Sequence, residues 1–258
     1  MNETLDIALI QTFLSWEAPA VNKEHLEKLT DNLDAKTHLL VLPEMFSTGF
    51  TMEPQNLTEN QAKSTLLWMQ ELAFNKGIAV VGSMVWPDNR SYYNRLFFVF
   101  PDGTYQHYNK RHTFTLAGED KIYSAGQERL IVEYAGFKIC PLICYDLRFP
   151  VWSRNTMDYD ILIYVANWPE PRIDAWDALL KARAIENMSY CIGVNRIGND
   201  ANGHAYNGHS AVYDPLGSRM VFSIEDEIIY ASLEKSRLVA IREKLKFLQD
   251  RDAFNLVK

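Results

Sequence analysis

The sequence predicts an α/β protein, one domain in which helices cover mixed β-sheets that share a core. Three observations carry this. Buried-type apolar strands alternate with amphipathic helices in the first third of the chain and again after Cys144. Antiparallel hairpins are interleaved between and after these units, marked by turns of Pro, Asp and Gly. No Pro/Gly/Ser-rich linker divides the 258 residues, and α/β folds of roughly 200–250 residues commonly form one unit. The expected domain therefore runs over residues 1–258.

The elements follow in order. Thr4–Thr12 reads as a strand and Pro19–Leu33 as an amphipathic helix. After the polar break Asp34–Thr37, His38–Leu42 is a short apolar run stopped by Pro43, suited to a buried parallel strand. Thr58 is a natural N-cap for a helix over Thr58–Phe74, with Leu66, Met69 and Ala73 at helical spacing. Gly77 closes it and Ile78–Val85 is the next strand. Tyr92–Phe100 and Thr104–Tyr108 form a hairpin around Pro101–Asp102–Gly103. Leu130–Tyr134 and Phe137–Ile143 flank a tight turn at Ala135–Gly136. Asp160–Val165 is a buried strand, Asp174–Ser189 a helix capped by Asp174, and Tyr190–Arg196 a strand. A hairpin follows, Ser210–Tyr213 with Ser218–Phe222, then a strand near Glu227–Ala231 and a short helix.

Composition narrows the function classes. Hydrophobic residues make up 47% and charged residues 23%, as in a packed globular protein. The net charge is −7 and no long basic run occurs, which argues against duplex nucleic acid as a partner. No stretch approaches the ~20 apolar residues of a membrane span. Met1–Leu14 carries Glu3 and Asp6 and no basic leader, so a secretory signal is not expected. Three cysteines, Cys140, Cys144 and Cys191, make a disulfide scaffold implausible and suggest reduced thiols in a cytoplasmic protein.

Three side chains carry complementary chemistry: Glu44 in LVLPEMF, Lys110 in HYNKRHTF and Cys144 in LICYDLRFP. A carboxylate can take a proton, an ammonium can hold an oxyanion, and a thiol can attack a carbon. Cys144 ends the apolar strand Phe137–Ile143, with Asp146 and Pro150 opening a helix beyond it. A residue at such a strand-to-helix turn faces the crevice at the carboxyl edge of the sheet. The helix N-terminus would lower the thiol pKa, and the Tyr145 N–H would serve as oxyanion donor. The ordinary fate of a free cysteine is a small buried hydrophobe; that is the reading for Cys140 and Cys191. Four residues of extended strand separate Cys140 from Cys144 by about 13 Å, too far for a disulfide. Glu44 follows its strand directly, a place suited to a general base; a solvated loop acid is the alternative. Lys110 ends a strand beside Arg111 and His112, and a surface charge run is its alternative. His204 and His209 lie in a Gly/Asn-rich loop without a metal-ligand pattern. Sequence separation leaves open whether Glu44, Lys110 and Cys144 meet in space.

LPEMFSTGF, YNKRHTF and LICYDLRFPVW together resemble the nitrilase superfamily of carbon–nitrogen hydrolases, and within it the bacterial omega-amidase branch. DYDILIYVANWPEPR, KARAIENMSYCIGVNRIG and GHSAVYDPLG extend the resemblance over nearly the whole chain. The resemblance implies a four-layer α-β-β-α sandwich of two mixed sheets. It implies a homodimer or a larger assembly of dimers, packed through the helices after Cys144 and after Asp174, a Glu–Lys–Cys triad, and no metal or organic cofactor. A second glutamate after the lysine falls on Glu119, which could otherwise be an exposed acid beside Asp120. Where the family often has glycine shortly before the nucleophile, this chain has Cys140. The implied reaction is hydrolysis of the terminal amide of 2-oxo dicarboxylic acid monoamides, such as 2-oxoglutaramate and 2-oxosuccinamate, through a cysteine thioester. Such a small-molecule substrate has an anionic far end. Arg148 could clamp it bidentately or instead pair with an acid such as Asp146. Phe114, Asn167 and Trp168 could line the pocket. Arg183 and Glu186 suit a structural i,i+3 pair. Other small substrates (an N-carbamoyl amino acid, a nitrile, a short amide) and a non-catalytic interaction protein are the competing readings.

Overall fold

The structure, a computed structural model, describes residues 4–256. The leader expectation rests partly on residues 1–3, which lie outside the described residues. Strand β1 (Thr4–Gln11) leads into helix α1 (Pro19–Thr30), β2 (Leu39–Val41), helix α2 (Glu59–Lys76), and strands β3 (Ala79–Asp88), β4 (Ser91–Val99) and β5 (Tyr105–Asn109). A one-turn helix α3 (Glu119–Ile122) precedes β6 (Val132–Tyr134) and β7 (Phe137–Ile143). After the short helix α4 (Pro150–Ser153) come β8 (Ile161–Ala166), helix α5 (Ile173–Asn187) and β9 (Tyr190–Asn195). A ribbon of β10 (Ile197–Asn199) and β11 (Ala205–Asn207) precedes β12 (Ser210–Tyr213), β13 (Arg219–Ser223), β14 (Glu227–Glu234) and helix α6 (Lys235–Leu245).

Two six-stranded mixed sheets result, ordered β14-β1-β2-β3-β4-β5 and β13-β12-β9-β8-β7-β6. In each, parallel strands form the centre: β1-β2-β3 in one and β7-β8-β9 in the other. Alternation along β1 shows how the layers arise. Leu5, Ile7 and Leu9 join Leu142, Ile163 and Ile192 in a core shared by both sheets. Ala8 and Ile10 point the other way, against Leu26 of α1 and Leu66, Met69 and Ala73 of α2. Trp176, Leu180 and Ala184 of α5 pack on the second sheet. The order is helix, sheet, sheet, helix, the four-layer sandwich expected. A period of two in the strands and of 3.6 in the helices is enough to generate it.

Most local signals hold. Thr58 caps α2 in a capping box with Gln61, and Gly77 ends the helix at φ 67°, a conformation open to glycine without a Cβ penalty. At Gly193 the reason for glycine is proximity: a Cβ would lie 2.4 Å from Leu180 Cδ1, so α5 could not sit on β9. Some expectations need correction. Asp174 lies in the first turn of α5 and Arg172 occupies the cap position, without a capping side chain. The α1 helix stops at Thr30. β3 runs to Asp88 and pairs with β4 across a two-residue turn, a hairpin hidden by Pro87 within the strand. The β10-β11 ribbon arises in a stretch that reads as loop.

Candidate active site

Four segments bring Glu44, Lys110, Glu119 and Cys144 to one place. Glu44 follows β2, where Pro43 stops the strand, and the next residue, Met45, turns the chain at φ 44°. Lys110 follows β5, and its N–H donates to the Asn94 carbonyl at 3.0 Å. Glu119 opens α3. Cys144 follows β7 with φ 41°, a left-handed conformation that costs a non-glycine residue about 1–3 kcal/mol. Chain carbonyl ends of strands from both sheets thus converge on a cavity of about 360 Å³.

The polar network below Cys144 is buried and dense. Lys110 Nζ donates to Glu44 Oε1 at 2.8 Å and to Glu119 Oε2 at 2.9 Å, with Glu119 Oε1 at 3.1 Å. Asn94 Nδ2 donates to Glu44 Oε1 at 2.8 Å and Glu119 Oε1 at 3.3 Å. The Asn167 N–H donates to Glu44 Oε2 at 2.8 Å, and its Nδ2 to the Glu44 carbonyl at 2.6 Å. The Phe114 N–H donates to Glu119 Oε2 at 2.5 Å. Cys144 Sγ donates to the Asn167 carbonyl oxygen at 3.9 Å, and the Glu44 carboxylate is near enough to act on the thiol electrostatically.

Burial alone would push the lysine toward its neutral form, but the Glu119 and Glu44 carboxylates more than reverse this, and the Lys110 pKa is raised. Burial raises the Glu119 pKa, against the pull of Lys110. For Cys144 the expectation of a lowered thiol pKa is corrected. Burial raises it well above the ordinary value, and the Glu44 charge adds to this. Cys144–Arg148 is a 3-10 turn rather than a helix start, and burial, with the Glu44 and Glu119 carboxylates, outweighs the opposing pull of Lys110. Cys144 therefore rests as a thiol.

Of the residues singled out by sequence, Lys110, Phe114, Cys144, Tyr145, Arg148, Asn167 and Trp168 all line the cavity. Glu44 and Glu119 lie beneath it, fully buried. Glu119 is thus no exposed loop acid. Arg148 does not pair with Asp146; its guanidinium lies 4.8 Å from the Trp168 ring centroid. Asp146 is occupied instead by Tyr108 Oη at 2.8 Å, the Ile143 N–H at 3.0 Å, and His112 through its N–H at 3.0 Å and Nδ1 at 2.8 Å. Arg183 bridges Glu186 at 2.9 Å as expected, and also donates to the Leu147 carbonyl at 2.6 Å, which braces the Cys144–Arg148 turn. Cys140 and Cys191 are core residues, and His209 pairs with Asp177 at 2.8 Å. His204, read as a loop residue, lines the cavity. Sequence reasoning missed Asn94, Phe50, Arg172 and Tyr206.

Comparison with known proteins places this architecture. A carbon–nitrogen hydrolase family profile matches residues 6–243. An omega-amidase (YafV) of Yersinia enterocolitica is 42% identical, covering 98% of this chain and 99% of its own length. A 2-oxoglutaramate amidase of Bacillus subtilis is 32% identical, over 95% and 96% of the two chains. Among solved structures, a CN-hydrolase superfamily protein of Xanthomonas campestris, with an arsenic adduct in its active site, superposes with a TM-score of 0.96 at 38% identity, over 98% and 99% of the chains. The chain belongs to the carbon–nitrogen hydrolase family.

Proposed function

We propose that this chain is an amidase of omega-amidase type, hydrolysing the terminal amide of 2-oxo dicarboxylic acid monoamides such as 2-oxoglutaramate and 2-oxosuccinamate to the acid and ammonia. One observation carries the reading: Lys110 Nζ bridges Glu44 and Glu119 at 2.8 and 2.9 Å on the floor of the pocket that exposes Cys144. The named relatives supply the substrate class.

In this mechanism Glu44 takes the thiol proton while Cys144 Sγ bonds to the amide carbon. The carbonyl electrons move to oxygen, where Lys110 and the Tyr145 N–H hold the charge; one such donor is typically worth about 10²–10³ in rate. Glu44 returns its proton to nitrogen, the C–N bond breaks and ammonia leaves a thioester. Water then gives a proton to Glu44 and attacks the same carbon. The C–S bond breaks and the sulfur regains its proton. Glu119 holds Lys110 in place. Arg148 binds the anionic end of the substrate, and Phe114, Asn167 and Trp168 wall the pocket.

The test combines ammonia release with mass spectrometry. A covalent acyl adduct on Cys144, and loss of turnover in Cys144→Ala, are expected. Wild-type turnover by Cys144→Ala ends the proposal. A homodimer and a cytoplasmic location belong to the same proposal. Exposed Val151 on α4 and Ile185 on α5 support the first, and three cysteines free of disulfides support the second. Sedimentation of Val151→Glu/Ile185→Glu should show a monomer where the parent chain is a dimer.

A further inference from the structure

Two arginines in the cavity wall are unlike the rest of the chain. Every other arginine that is at least half-buried donates to a protein acceptor. Arg95, Arg183, Arg242 and Arg251 hold carboxylates. Arg111, Arg129, Arg154 and Arg196 hold backbone carbonyls. Arg148 and Arg172 are half-buried too, yet among the described residues their guanidinium groups meet only aromatic rings. Arg148 lies over Trp168 at 4.8 Å and Arg172 over Phe114 at 5.2 Å. Both line the cavity that holds Cys144.

The supports of both groups are fixed. The Phe114 N–H is tied to Glu119, and its ring packs edge-on to Tyr145 at 4.9 Å. Trp168 Nε1 donates to the Arg172 carbonyl at 2.8 Å, which holds the Glu170–Arg172 turn against the pocket. Stacked guanidiniums keep their fork of donors free and lose little freedom on binding. The acids Glu53 and Asp200 also line the cavity; Asp200 accepts from the Asn202 and His204 N–H groups and from Tyr206 Oη, each at 2.9 Å, Glu53 accepts from Gln55 Nε2, and neither acid forms an ion pair with Arg148 or Arg172. Two half-buried cationic forks therefore face one pocket, and among the described residues neither is paired with a carboxylate.

We infer that Arg172 is the second jaw of a carboxylate clamp: the anionic 2-oxo acid end of the substrate sits between the Arg148 and Arg172 guanidinium groups, with its amide carbon at Cys144. This deepens the proposed function and rests on it. Arg172 sets specificity for acids over neutral amides of the same length.

Steady-state kinetics on 2-oxoglutaramate and on pentanamide test this, for the parent chain, Arg172→Gln and Arg172→Lys. Loss of a charge-assisted hydrogen bond should raise KM for 2-oxoglutaramate about ten- to hundredfold in Arg172→Gln, with a smaller effect on kcat. The preference for 2-oxoglutaramate over pentanamide should fall by a similar factor, and Arg172→Lys should recover part of it. Calorimetry of 2-oxoglutarate with Cys144→Ala provides a readout independent of turnover; adding Arg172→Gln should weaken binding at least tenfold. An Arg172→Gln enzyme with unchanged preference and unchanged 2-oxoglutarate affinity overturns the clamp alone. A parent chain that hydrolyses other amides but not 2-oxoglutaramate overturns the proposed function, and the clamp with it.

Discussion

Lys110 and Glu119 form a two-pronged contact, with Nζ 2.9 Å from Oε2 and 3.1 Å from Oε1, and neither side chain reaches solvent. With Glu44 on the same ammonium, two negative charges share one positive charge inside the protein. That arrangement costs desolvation and survives because every charge is met.

Removing the ammonium should therefore be costly twice over. Lys110→Met strands two buried carboxylates, and a loss of about 3–5 kcal/mol is expected, with activity down at least about 10²-fold. Adding Glu119→Gln should restore part of the stability and none of the activity. Urea unfolding of the single and double variants checks this.

The positive φ at Cys144 predicts an inverted preference at this position. Ala→Gly in regular structure usually destabilises by about 1 kcal/mol. At φ 41° the sign should reverse or vanish, so Cys144→Gly should melt no lower than Cys144→Ala. Differential scanning calorimetry of the two inactive variants decides it.

Alkaline pH should destabilise the fold. Burial pushes the Cys140 thiol up to about 12 and raises Cys144 and Cys191 as well. Unfolded thiols titrate near about 8.5 and unfolded lysine near about 10.4. In each case the folded chain holds its proton more tightly, and Lys110 behaves likewise. The stabilisation is complete below the unfolded values and is lost as pH rises through the folded ones. The melting temperature should fall as pH rises from about 8.5 toward 12, with a shallower slope in Cys140→Val/Cys191→Val. A flat or rising profile contradicts the argument.

Asp146 should act on rate without touching substrate. It joins the loop after Lys110, through His112, to the Ile143 N–H just before the nucleophile. Asp146→Asn presents an NH2 to a donor-filled site, so a loss of about 1–3 kcal/mol is expected. A fall in kcat with little change in KM should accompany it, measured together with thermal melts.

Much of this was legible in the chain. Period-two and helical patterns gave the alternation of strands and helices, and Thr58 and Gly77 marked the bounds of α2. Residue chemistry pointed to Glu44, Lys110 and Cys144, the family resemblance added Glu119, and the structure brings all four to one place. The β3-β4 hairpin was obscured because Pro87 reads as a strand breaker, yet it lies near the strand's outer end, where a missing N–H costs little. Arg172 and Asn94 carry no local signature. Their importance comes from what lies across the cavity, and an arginine in a polar loop looks like any other.

Sequence alone determined the order of the elements, the two-faced strands that become a double sheet, and the side-chain types able to attack and protonate. These depend on local periodicity and on residue chemistry, which the chain carries at each position. Tertiary structure decided the rest: a thiol held protonated by burial and neighbouring carboxylates, and a lysine shared by two acids. It also left two arginines facing a cavity with no ion pair holding either of them. Those properties depend on dielectric and distance between residues far apart in the chain, and they exist only once both sheets have closed on one another.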